Sequence, residues 1–578
     1  MKRFYYLKST ILLIAVIFIT FSINGCNKSD TEAKPNPEEV AKMEQQFKDF
    51  VKVFDERMKP AYKDMAEAYF TAAVTSNPEN WGKVASKEMI MNEILSNKDD
   101  FAKLKKMKES NLIQDELLKR ELQILYNTYL SKQIDTAKLN KLTKMQTEIE
   151  NKYSNFRAVV GKKKLSDNDV EDMLKTSKNS KELQEVWLAH KQIGNLVSQD
   201  VIALVKLRNE VAKELGFNNY HEMSLILNDQ EPADVQKLFD ELDVLTADAF
   251  KKLKVQMDEV LAKQCNIKPE ELMPWHYQNR FFQEAPQIYD VDLDTYYKGK
   301  DIVKLTVDYY KSINLPIEDM VSKSDLFEKP GKNQHAFCIS IDKDAKDVRV
   351  LCNVKDNSKW METMLHEYGH AVYYKWIGEN LPWILKEPAH TFTTEAIAML
   401  FGRFALDPLW MGDMMGVTKE EQAKITDICN KTLALQQLVF SRWSQVMYRF
   451  EKSFYENPDQ DLNKLWWDLV EKYQMIKRPE GRNQPDWASK IHIATSPCYY
   501  HNYHLGELFA SQLYFYINDN VLKLPQGTYS SFYNKPEVGN YLIEKVFAPG
   551  QKYYWNDMIE KATGEKLTAK YYAKQFVK

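Results

Sequence analysis

His366, Glu367 and His370 stand in the pattern HExxH, within His366-Glu367-Tyr368-Gly369-His370. On a helix a spacing of four puts both imidazoles on one face, and two neutral imidazoles so placed can share one Zn²⁺. The intervening Glu367 can then reach the attacking water as general base. A catalytic zinc needs a third protein ligand and an open position. Glu395, 25 residues beyond His370 in the helical stretch Thr393-Thr394-Glu395-Ala396-Ile397-Ala398, is the expected one, and His390, in a loop after Pro388, is its competitor. Seven of the ten histidines fall at or between positions 335 and 504, a concentration of imidazole that invites a site. The last three, His492, His501 and His504, lie with Lys490, Tyr499, Tyr500 and Tyr503 around a proline-containing turn, a second cluster of groups able to engage a substrate.

These groups need rigid elements, and the pattern around them is helical. Met361, Met364, Leu365 and Val372 give the HExxH helix apolar faces to bury, with Asp356, Asn357 and Ser358 as cap candidates and Gly378 as terminator. From Val40 to about Phe250 apolar residues recur three and four apart, as in Val40, Met43, Phe47, Phe50, Val51 and Phe54, which predicts helix after amphipathic helix. Ser166 to Asp169 predicts a capping box, and Gly216 a helix C-terminus. The aromatic, proline-broken segment Pro274 to Pro286 is a loop or lining segment. A hairpin is predicted over 335–354: Phe337, Ile339 and Ile341 alternate before a polar turn, Asp342 to Asp347, and Val348, Val350 and Val354 alternate after it. A symmetric register centred on 345 sets Cys338 opposite Cys352, at a separation that suits a disulfide.

The composition allows a large helical body. Lys+Arg number 79 against 82 Asp+Glu, a formal charge of −3, so there is no basic excess for nucleic acid, and a mean hydropathy of −0.52 excludes a polytopic membrane protein. With 44% hydrophobic residues the chain can build a core rather than remain disordered. Glycine supplies only 18 of 578 residues, about 3% against an ordinary share of about 7%, which disfavours a turn-rich all-β design.

At the N-terminus, Lys2, Arg3 and Lys8 precede an apolar run from Ile11 to Ile19 and then Ile23-Asn24-Gly25-Cys26. The run is short for a bilayer span of about 20 residues and resembles a bacterial lipoprotein signal. The expected organisation is a signal peptide over 1–25, a lipid-bearing Cys26, a polar tether over 26–38, and one helical metallopeptidase domain with a central cleft over 39–578. That places the body on the cell envelope, periplasmic, outer-membrane or surface-exposed, with its lipid as the only membrane contact. Five cysteines then remain in an oxidising compartment, an odd number that leaves at least one thiol unpaired.

HEYGH with TEAIA after it, HAFC from His335 to Cys338, and KIHIATSPCYYHNYHLGELFASQ from Lys490 to Gln512 together resemble the angiotensin-converting-enzyme-like peptidyl-dipeptidases, peptidase family M2. The thimet-oligopeptidase-like family M3 shares the zinc signature and a similar Glu spacing and is the nearest rival. The M2 resemblance implies a large, two-lobed, mostly α gluzincin fold with a small β-hairpin at the active-site cleft, one Zn²⁺, and release of dipeptides from the C-termini of oligopeptides. Carried onto this chain, it implies His366, His370 and Glu395 as zinc ligands and Glu367 as general base. His335-Ala336 would lie on an edge strand facing substrate, Lys490 would bind the terminal carboxylate with Tyr499 or Tyr500, and Gln278 would join that pocket. His492 would assist at the carbonyl, and Tyr503 would hold the oxyanion.

This chain departs from the family pattern in three places. The run from His492 to Tyr503 is one residue longer, which leaves Tyr499 and Tyr500 as alternatives. His501 and Asn502 stand where animal members carry a chloride-linked Arg, so chloride activation is not expected. Met399 stands one turn beyond Glu395, where an acidic partner is expected, so another group must orient the imidazole. Two other readings remain: an M3-like oligoendopeptidase, and a lipid-anchored peptide-binding protein without turnover. The oligomeric state is left open.

Overall fold

The computed structural model describes residues 35–75 and 77–577. The expected signal peptide, Cys26 and the tether as far as residue 34 lie outside the described residues. Helix α1 (Pro37–Thr75) begins two residues inside the expected tether, because Glu38 and Glu39 in its first turn suit the positive end of the helix dipole. Phe47, Phe54 and Met58, spaced seven and four, carry its first half into a core with Leu125, Tyr129 and Trp383. Ala66, Phe70 and Ala73 pack its second half on Ile341 and Leu351 of the hairpin described below. The N-terminal helices thus brace the β structure from outside.

One large core runs from Ile149 to Phe576. Ser166 forms the predicted capping box with Asp169 at the start of the helix Asp167–Thr176. Helix α2 (Ser180–Glu214) closes just before Gly216, whose φ of 93° gives the left-handed turn expected of it. Gly194, inside α2, lies where a Cβ would sit 2.3 Å from the carbonyl oxygen of Pro485, so its bare backbone seats the segment that leads to Lys490. Helix α3 (Pro232–Cys265) follows, and then the predicted irregular segment, with Gln278 and Phe282 both at positive φ. No helix among the described residues is long and apolar enough to cross a membrane.

Among the described residues the architecture is mostly α, with two short antiparallel hairpins: β1 (Ala158–Val160) with β2 (Lys163–Leu165), and β3 (Phe337–Asp342) with β4 (Asp347–Leu351). The second pair corrects the predicted register. Phe337 faces Leu351 and Cys338 faces Val350, because a four-residue turn closes at Asp342–Asp347 and a bulge at Ile341 takes up a further residue. Cys338 and Cys352 are therefore two positions out of register, and both are free thiols, so the predicted disulfide does not form.

Four helices complete the frame of the site: α4 (Ser358–Lys375), α5 (Thr391–Gly402), α6 (Lys419–Glu456) and α7 (His501–Tyr516). Asn357 caps α4, accepting from the Trp360 N–H at 2.9 Å. The helix ends at Lys375, short of the expected terminator; Gly378 instead meets the Ala548 carbonyl, where a Cβ would come within 2.8 Å.

Candidate active site

Glycines decide how closely the site helices approach. At Gly369 of α4 a Cβ would fall 2.7 Å from Ala398 Cα, so this glycine lets α5 lie against the HExxH face. At Gly506 of α7 a Cβ would fall 3.1 Å from Glu395 Cβ and 3.2 Å from Met399 Sδ, so α7 presses α5 from the other side. The result is convergence. His366 Nε2 and His370 Nε2 stand 3.2 Å apart, and Glu395 Oε2 lies 3.7 Å from the first and 3.8 Å from the second. An ion in the plane of the three atoms and equidistant from them would lie about 2.1 Å from each, the length of zinc bonds to imidazole nitrogen and carboxylate oxygen. These residues fit a zinc ion.

The electrostatics agree with the geometry. Burial holds His366 down to about 4, and burial with the neighbouring His366 holds His370 well below the usual imidazole range, so both present neutral nitrogens. His370 Nδ1 lies 2.8 Å from Thr394 Oγ1; donation there leaves the Nε2 lone pair facing the convergence point. Burial and then Glu507 push Glu395 up to about 7. Glu367, itself buried, is pushed up to about 8 by burial and then Glu395, while the Cys338 backbone N–H works against that rise.

His390 is spoken for. Its Nδ1 accepts from the Phe392 N–H at 3.2 Å as the cap of α5, and its Nε2 lies 2.9 Å from the Asn228 carbonyl. Both nitrogens are engaged in holding α5, which removes it as a competing ligand.

The second cluster gathers around Lys490, which is 6% exposed. Its Nζ donates to Gln283 Oε1 at 2.5 Å and lies 5.2 Å from the ring centres of Phe281 and Tyr500 and 5.4 Å from that of Trp443. None of the ion pairs among the described residues involves it. Burial, followed by the charge of Arg280, holds its ammonium down to about 7. Tyr500, whose hydroxyl accepts from Trp443 Nε1 at 2.8 Å, is therefore the tyrosine beside Lys490. Tyr499 packs edge-on against Tyr503 at 5.3 Å, on the Glu395 side. The left-handed turn at Cys498, whose N–H donates to the buried Glu451 at 3.0 Å, falls within the run from His492 to Tyr503, read above as one residue longer than the family pattern. His492 lies edge-on to Tyr500 at 5.4 Å and is held down to about 4 by burial and Lys490. Tyr503 is half-buried, and the charge of Glu395 reaches its hydroxyl.

Two expectations are corrected here. Gln278 does not reach Lys490: its amide donates to Gln264 at 3.1 Å and its carbonyl accepts from the Gln287 N–H at 2.8 Å, and Gln283 takes the place assigned to it. His335 and Ala336 precede β3 rather than lying within it, with His335 exposed; the outer edge of β3 has no strand partner among the described residues. Beyond Gln283, sequence reasoning missed Thr394, which stands next to Glu395 and could have been noticed there, and Glu507, for which no local signal exists.

The family model described as angiotensin-converting enzyme, Peptidase_M2, matches residues 41–576. Among curated proteins, angiotensin-converting enzyme of Mesocricetus auratus is 23% identical over 365 residues, 57% of this chain and 27% of that protein. The enzyme of Mus musculus is 22% identical over 359 residues, with the same coverage of each, and that of Bos taurus 21% over 494 residues, 79% of this chain and 37% of that protein. This chain therefore spans only about a quarter to a third of the length of these relatives. Because the matched span takes in both site clusters and the helices that bring them together, this chain belongs to the angiotensin-converting enzyme family, peptidase family M2.

Proposed function

We propose that this chain is a zinc-dependent peptidase that releases dipeptides from the C-termini of oligopeptides. One observation carries the reading: two imidazole nitrogens and a carboxylate oxygen stand 3.2 to 3.8 Å from one another, an arrangement that a single cation between them would satisfy. A zinc ion held by His366, His370 and Glu395 would supply a Lewis acid for the scissile carbonyl and lower the pKa of a water. Glu367 takes the proton from the attacking water and returns it to the leaving amine. The Tyr503 hydroxyl donates to the oxygen that becomes negative, and His492 donates to a neighbouring substrate carbonyl. His335 and Ala336, leading into the unpaired edge of β3, hold the substrate backbone by strand addition.

Lys490 supports cleavage from the C-terminus. A buried ammonium with no carboxylate partner is short of an anion, and the free α-carboxylate of a peptide supplies one, with the Tyr500 hydroxyl beside it. The basic and apolar start of the sequence, with Cys26, supports anchoring to the envelope by a lipid on that cysteine; Cys26→Ser would then move the protein to the soluble fraction.

The test is mass spectrometry of products from a decapeptide with a free or amidated C-terminus, run beside Glu367→Gln and a chelated sample. Stepwise loss of dipeptides from the free acid, abolished in both controls, is the expected result. Internal cuts from both peptides would make the protein an oligoendopeptidase. A zinc-loaded protein that cuts neither would be a peptide binder.

A further inference from the structure

We infer that Arg208 on α2 and Glu451 on α6 are positioning residues for the substrate carboxylate: they grip the two arms of the turn between His492 and Tyr500 and so set both side chains beside Lys490. The inference rests on the proposed role of Lys490.

Arg208 is 3% exposed and Glu451 2%, and neither belongs to an ion pair among the described residues. Buried charges are costly unless their hydrogen bonds are made, and both of these bond to the backbone of one six-residue stretch, 493–498. Arg208 Nη2 donates to the Ala494 carbonyl at 2.6 Å and to Gln146 Oε1 at 3.0 Å. Its Nη1 donates to the Ile493 carbonyl at 3.4 Å and to Tyr455 Oη at 3.1 Å. Those two carbonyls belong to the single helical turn His492–Thr495. Four residues after Ala494, the Cys498 N–H donates to Glu451 Oε1 at 3.0 Å. Asn209 Nδ2, next to Arg208, donates to the Tyr455 carbonyl at 2.8 Å, so α2 and α6 hold the turn as one frame.

The backbone between the two grips needs them. Cys498 stands at φ 56°, a left-handed conformation that residues other than glycine, asparagine and aspartate seldom adopt and that persists where its surroundings fix it. It follows Pro497, whose ring sets its own φ and whose nitrogen has no hydrogen to donate. The Cys498 N–H is therefore the donor by which this side of the turn is held, and Glu451 is its acceptor. The reversal brings Tyr500 against His492, ring centres 5.4 Å apart, and leaves Lys490 Nζ 5.2 Å from the centre of the Tyr500 ring. A shift of this turn by about 1 Å would move Tyr500 and His492 relative to Lys490, and a displacement of that size can cost about 10²-fold in rate.

The test is kcat/KM on the decapeptide with a free and with an amidated C-terminus, the ratio of the two being the readout, measured beside the thermal midpoint. Glu451→Leu removes the acceptor of the Cys498 N–H and should lower the acid-to-amide ratio about tenfold. Glu451→Gln keeps an oxygen in the same place and should hold the ratio near that of wild type. Arg208→Lys keeps the charge, but one ammonium cannot replace the guanidinium fork at both carbonyls, Tyr455 and Gln146, so the ratio should fall here as well. That variant decides the matter if Glu451→Leu does not fold. An unchanged ratio in either folded variant, whether both rates hold or both fall together, would overturn the inference, and so would a lower thermal midpoint alone. A wild-type protein that does not favour the free acid would overturn the carboxylate role of Lys490 itself, and the inference with it.

Discussion

Lys490→Met separates what the lysine does for a substrate from what it does to the fold. Burial, with Arg280 second, lowers the ammonium from 10.5 to about 7 in the folded protein. The unfolded chain therefore binds more protons than the folded one between about pH 7 and 10.5. The cost of this lysine is full at and below pH 7 and fades as pH rises towards 10.5. A shift of that size is worth about 4–5 kcal/mol, at about 1.36 kcal/mol per unit. Against it, Met loses the hydrogen bond to Gln283, leaving that oxygen unpaired at a cost of about 1–3 kcal/mol, while keeping most of the contact with Phe281, Trp443 and Tyr500. The first effect wins at neutral pH, so the substrate-free variant should be about 1–4 kcal/mol more stable than wild type at pH 6.5. The gain should vanish or reverse near pH 10. Urea denaturation of both proteins in the same metal state at pH 6.5 and 9.5 measures this. Losing a charge-assisted contact worth about 1.5–3 kcal/mol should lower kcat/KM on a free-acid peptide about ten- to a hundredfold and leave its amide nearly untouched. A variant less stable than wild type at pH 6.5 would refute the electrostatic argument. Equal losses on acid and amide would refute the carboxylate role.

Gly369→Ala should destabilise the protein by about 1–3 kcal/mol and weaken zinc binding, because the overpacking against Ala398 outweighs the gain in helix propensity of about 0.5–1 kcal/mol; thermal melting with and without zinc reads both. Thiol labelling of the unfolded, unreduced protein should tag both Cys338 and Cys352, and protection of the two together would restore the disulfide. Added chloride should leave peptide turnover unchanged: His501 and Asn502 are buried and tied through Gln230 at 2.8 Å on each side, and burial holds His501 well below the usual imidazole range, so this pair offers an anion no positive charge. A steep rise in rate with chloride would place a cation elsewhere in the cleft.

What was legible in the sequence was local. The face shared by His366 and His370 follows from helical spacing, the start of α4 from Asn357, and the turn after α2 from Gly216; each depends on a few consecutive residues. The hairpin register was not legible, because one bulged residue and one turn length reassign every cross-strand pair, and alternation alone is equally satisfied by either register. Gln283 could not be told from Gln278, since two left-handed residues break any period in that segment and leave no pattern to say which amide faces Lys490. His390 looked available as a ligand because its two hydrogen bonds, to the helix it caps and to a carbonyl 162 residues earlier in the chain, are products of the fold. The same distinction explains the least legible part of the site. The ligands and the general base lie on α4 and α5, where spacing and motif reveal them. The close contact that holds Glu395 from behind is made by Gly506, on a helix more than a hundred residues later. A hydrophobic helix face with one glycine is ordinary as sequence; only the fold shows that it is pressed against Glu395 and Met399.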